Sequence, residues 1–102
     1  MSLVTIVNIP LRNTLETLYT CTHTTEIAET IAVCNTYNIS VPVYLYFVPY
    51  GQLAPNGALF SGSPMAANST LIVSQRYMRV GDTIQGKADS DNAVIVTADI
   101  IV

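Results

Sequence analysis

Charge is what this sequence has least of. Of its 102 residues, 11% are Asp, Glu, Lys or Arg, less than half of the roughly 25% found in an ordinary soluble domain. The basic residues are Arg12, Arg76, Arg79 and Lys87, and only Arg76 and Arg79 stand close together. Gripping phosphates takes several clustered cations, so the composition argues against a nucleic-acid partner. Tryptophan is absent and His23 is the single histidine, which leaves acid–base catalysis few groups to use. No apolar run approaches the roughly 18 residues of a membrane-spanning helix, so no membrane partner is expected. The opening "MSLVTIVNIPLRN" lacks the basic start and cleavage site of a secretion signal. Two cysteines, Cys21 and Cys34, lie 13 residues apart, a spacing that matches no metal motif. The expectation is synthesis in a reducing cytoplasm with both thiols free and buried.

What is present is a neutral, hydroxyl-rich chain that is 50% apolar. Its length suits one domain, which buries roughly 60–70% of its unfolded surface. A surface so poor in charge repels its own copies weakly, and part of it is expected to be covered by partners. Glycine and proline punctuate the second half, with short Val-, Ile-, Thr- and Tyr-rich runs between them, the pattern of consecutive strands. Strands are expected at about 3–9, 15–22, 26–36, 39–48, 57–61, 69–75, 82–88 and 92–102. The fold class is all-β, a single antiparallel β-sandwich. Residues 1–13 read as an N-terminal arm or first strand, and 14–102 as the sandwich domain.

The uncharged stretch 33–51, "VCNTYNISVPVYLYFVPYG", resolves by alternation. Val41, Val43, Leu45 and Phe47 share one face and look like core; Tyr44, Tyr46 and Val48 share the other. That second face is too apolar for free solvation. Tyr44 and Tyr46 either pack under a loop or sheet or form a contact, since a tyrosine ring buries area while its hydroxyl reaches water. Pro42 places its end of the strand at a sheet edge or a bulge. In "NAVIVTADII", Val94, Val96, Ala98 and Ile100 oppose Ile95, Thr97, Asp99 and Ile101 in the same way. Leu11, Leu15 and Leu18, and Ile27, Ala28, Ile31 and Ala32, sit at helical spacing. The dense threonine and strand-rich surroundings favour β there nonetheless.

Little suggests a reaction. Cys21 and His23 are the one nucleophile–base pair on offer, and nothing nearby orients the imidazole. Asp89 and Asp91 in "DSDN" fall short of a calcium loop and read as turn formers. Glu26 and Glu29 are too isolated for a glycosidase pair. "NIS" at 38–40 and "NST" at 68–70 read as turns rather than glycosylation acceptors. The expectation is a protein without catalytic residues, cofactor or metal.

In order along the chain come Cys34–Thr36, the "V-x-L-Y-x-V-P-x-G" strand Val43–Gly51, the "A-N-S-T-L" entry Ala67–Leu71, the "G-D-T-I" turn Gly81–Ile84 and the closing "V-x-V-T" strand Val94–Thr97. Over roughly residues 15–102 this series resembles a family of small virion structural proteins of tailed bacteriophages. The resemblance implies a jelly-roll-like β-sandwich that serves as a capsid decoration or cement subunit, a head-fibre base or a tail accessory. It implies a trimer or other symmetric oligomer, bound to major capsid or tail proteins in the virion. The chain departs from the pattern in its extra N-terminal segment, which could add to a neighbour's sheet by strand pairing. Expected contact residues are Leu3, Val4, Ile6, Val7 and Ile9 of that segment, Tyr44 and Tyr46, and Arg76, Tyr77 and Arg79 of "RYMR". The alternative is a glycan-binding module of a receptor-recognition fibre, with Tyr37, Tyr50 and Tyr77 stacking on sugar rings.

Overall fold

Eight antiparallel strands carry the chain in the computed structural model, which describes residues 3–22, 24–54 and 57–101. They are β1 (Leu3–Pro10), β2 (Glu16–Thr20), β3 (Thr25–Asn35), β4 (Val41–Val48), β5 (Ala58–Met65), β6 (Thr70–Arg79), β7 (Thr83–Ala88) and β8 (Val94–Ile101). No helix occurs among the described residues. Two four-stranded sheets form, in the orders β1-β8-β3-β6 and β2-β7-β4-β5. The first strand pairs with the last, the second with the seventh, the third with the sixth and the fourth with the fifth. The chain is thus one long hairpin, bent at the β4–β5 connection and wrapped until β8 meets β3 and β7 meets β4. That is the jelly-roll topology, two Greek keys closed into a sandwich.

Alternation sets the faces. In β8, Val94, Val96, Ala98 and Ile100 point into the core, and the residues between them are half-buried. In β4, Val41, Val43 and Leu45 join the central cluster and Phe47 packs against it. In β7, Ile84, Gly86 and Ala88 face inward. A Cβ on Gly86 would lie 3.3 Å from both Leu11 Cδ2 and Leu18 Cδ1, so those two leucines fill the space a side chain would take. Leu11 is fully buried, whereas Leu15 is exposed, and neither lies in a helix.

The helical look of 27–32 has a physical source. Inward-facing positions on β3 run 26, 28, 31, 33 and 35, with a three-residue step where the register to β8 shifts between Ala28 and Thr30. That bulge places Ala28 and Ile31 on one face of a strand at the spacing a helix would use.

Pro42 also has its explanation. It is not at a sheet edge: β4 lies between β7 and β5. Pro42 stands opposite Pro64 on β5, beside a register shift between Val43 and Tyr44, while the ladder to β7 begins only at Val43. The missing donors thus fall where the central strand starts, next to a bulge.

Candidate interaction surface

The two ends of the sandwich are held by side chains that satisfy backbone groups. At the end carrying residues 36–40 and 66–69, Asn35 is fully buried. Its amide nitrogen donates toward the carbonyls of Ile39 at 2.9 Å, Met65 at 3.0 Å and Ala66 at 3.3 Å. Its side-chain oxygen accepts from Tyr37 N at 3.0 Å. One residue therefore ties together the β3–β4 and β5–β6 connections. Thr36 Oγ1 donates to Ala93 O at 2.8 Å, and Asn13 N donates to Asp91 Oδ1 at 2.8 Å. Asn68 and Asn92 adopt left-handed backbone, with φ of 54° and 62°, as asparagine in turns tolerates.

At the opposite end, Asp82 accepts from Tyr50 N and Arg79 N, each at 2.9 Å. Glu26 is fully buried there, accepting hydrogen bonds from the Tyr19 hydroxyl on Oε1 and from Thr22 N on Oε2, the latter at 3.1 Å. Burial, then the hydrogen bond and the charge of Glu26, push the Tyr19 hydroxyl well above the usual tyrosine range. Cys21 is buried nearby and His23 lies outside the described residues. Neither cysteine forms a disulfide, and Cys34 is half-buried rather than buried. Among the described residues no three His, Cys, Asp or Glu side chains stand close enough to hold a metal.

The motifs behind the resemblance therefore largely serve backbone geometry. Asn35 locks two loops, Asn68 turns the chain, and Gly81 (φ 92°) with Asp82 closes a turn. Comparison with protein-family models, with curated proteins and with solved structures finds no match.

The residues expected to make contacts do not gather in one patch. Leu3–Pro10 pairs with β8 of its own chain, forming one edge of the first sheet. Ile9 packs against the core, and the side chains of Leu3, Val4, Ile6 and Val7 lie outside the described residues. Tyr44 and Tyr46 belong to the second sheet. Tyr46 is only 6% exposed, its hydroxyl 3.5 Å from Ser61 Oγ, so its ring is spent within the protomer. Tyr44 is half-buried, with Lys87 Nζ 4.4 Å from its ring centroid, a cation–π contact on the outer face. Tyr37 and Tyr50 sit at opposite ends of the sandwich, in the β3–β4 and β4–β5 connections.

Arg76, Tyr77 and Arg79 fall on β6, the other edge of the first sheet. Tyr77 is 71% exposed and Ile72 is 62% exposed, with Leu71 and Val80 also open to solvent. Leu71, Ile72 and Val80 escaped the sequence reading. The signal for Leu71 and Ile72 is "LIV" at 71–73, three consecutive apolar residues where a half-buried strand should alternate.

Proposed function

We propose that this chain is a non-enzymatic structural subunit of a virion, a capsid-decoration or cement-type protein that associates with itself and with other coat or tail proteins. The observation that carries this reading is the edge strand β6, ten residues long and lined with exposed apolar side chains. An open, apolar sheet edge is a template for pairing with another chain. The low charge supports association driven by apolar area and backbone pairing rather than by ion pairs. The ion pair of Arg12 with Glu16, at 3.9 Å, is solvent-exposed and of a kind that adds little.

Light scattering on the purified protein at low and at high salt tests the reading. A symmetric oligomer, the trimer of the resemblance or another closed ring, should keep its mass as salt rises, because few charges are screened. Dissociation by moderate salt alone, or a monomer that also fails to bind purified particles, removes it. The glycan-binding alternative draws on the exposed ring of Tyr50, 78% accessible, but the placement of Tyr37 at the far end denies it a single stacking platform. A glycan array without hits disposes of it.

A further inference from the structure

We infer that β6 is a two-fold seam: two copies of this chain pair their β6 strands antiparallel, joining their first sheets into one continuous sheet of eight strands. The inference rests on the self-association reading above and names the surface and geometry that carry it.

The four sheet edges are not equally available. Native sheets blunt exposed edges with prolines, bulges, charges or short strands. Strand β5 carries Pro64, a left-handed Gly62 (φ 77°) and two register shifts. Strand β2 has five residues and a register shift. Strand β1 ends in Pro10 and shifts register between Ile6 and Ile9. Strand β6 is ten residues long and carries, of these devices, the charges of Arg76 and Arg79. It contains no proline, glycine or lysine, and it keeps one register against β3 from Thr25↔Arg79 to Cys34↔Thr70. Its free side has no strand partner among the described residues.

The occupant is read from the strand itself. "TLIVSQRYMR" is nearly palindromic in character about Ser74 and Gln75, with apolar residues on both sides of a polar centre. Antiparallel pairing about that centre sets Ile72 of each copy opposite Tyr77 of the other, and Leu71 opposite Met78. Faces agree as well. Val73 packs on the core, and Arg76 lies over Phe47 at 5.9 Å, so both point inward, whereas Ile72 and Tyr77 point out to solvent. Charge selects the direction. Parallel in-register pairing would stack Arg76 on Arg76 and Arg79 on Arg79, and like charges directly opposed are destabilising. The antiparallel seam sets Arg76 opposite Val73 and Arg79 opposite Thr70. An acidic strand from another protein would suit the arginines, but it would leave Ile72 and Tyr77 against charge. A second copy gives each an apolar partner, a β-branched–aromatic pair formed twice.

Cysteine pairs test the register. In a Cys34→Ala background, the double variant Ile72→Cys/Tyr77→Cys should convert to covalent dimer under mild oxidation. Either single variant should not, because its two cysteines would lie about 17 Å apart along the strand, at roughly 3.4 Å per residue, beyond disulfide reach. Ile72→Lys/Tyr77→Lys should at least halve the mass seen by light scattering while leaving the circular dichroism spectrum and melting temperature near wild type. Leu15→Lys, at an exposed site in the β1–β2 connection, should leave the mass unchanged. An oligomer that ignores the lysine pair, or a closed trimer, overturns the seam while self-association stands. A protein monomeric at every concentration overturns both.

Discussion

Asn35 does more for this fold than any of the aromatic residues that first draw attention. An asparagine amide buried away from water must meet its own hydrogen-bonding needs, and here it meets those of two loops as well. Asn35→Ala leaves buried carbonyls and an N–H unpaired, and should cost about 3 kcal/mol. Urea denaturation, with an unchanged m-value, is the measurement; a loss within error would show that water replaces the amide. Tyr19 and Glu26 form the second such unit. The folded chain holds the Tyr19 proton to higher pH than the unfolded chain does, where tyrosine ionises near pH 10. Stability from this group is thus fully present below about pH 10 and is lost as pH rises through the folded-state value. Tyr19→Phe should flatten that alkaline loss and remove the latest-titrating tyrosine from the absorbance curve at 295 nm. A titration curve unchanged in its last phase would count against the assignment.

Among the elements, the β4–β5 hairpin depends most on a single residue. Gly57 has a φ of 76°, and a Cβ there would lie 1.7 Å from the Phe47 carbonyl oxygen, while Phe47 N donates to Gly57 O at 2.9 Å. Gly57→Ala must therefore break the turn or move β4, and should cost at least about 2 kcal/mol. Thermal melting would read this directly, and a variant as stable as wild type would mean the hairpin closes differently. The strands themselves were largely legible. Val94–Ile101 alternates so cleanly that its inward face follows from the sequence, and so does that of Val41–Phe47. Boundaries were less so. Strand β5 runs on past residue 61 through Gly62 and Pro64 to Met65, residues that read as breakers because propensity cannot know that β5 is an edge. Strand β6 runs on to Arg79, so that "RYMR", taken as a separate contact segment, is the end of a strand. Exposure was half legible: Arg76, Tyr77 and Arg79 lie on an open edge, whereas Tyr46 is buried.

At the scale of the whole molecule, a net charge of −3 and a sequence pI of about 4.6 leave little electrostatic repulsion between copies. Solubility should fall sharply near pH 4.6 and recover above it, as turbidity across pH 3.5–7 would record. A flat profile would show that hydration of the hydroxyl-rich surface, rather than charge, keeps copies apart. Composition and alternation alone determined an all-β chain of about eight strands, the alternating faces of β4 and β8 and a surface poor in charge, because those follow from local side-chain chemistry and the two-residue period of a strand. Which strands became edges was decided only by the tertiary structure. Edge status is set by pairing across the whole chain, first strand with last and third with sixth, and no local pattern encodes a neighbour that distant. That pairing buried Tyr46 and left Ile72 and Tyr77 exposed on an edge strand with no proline, glycine or register shift.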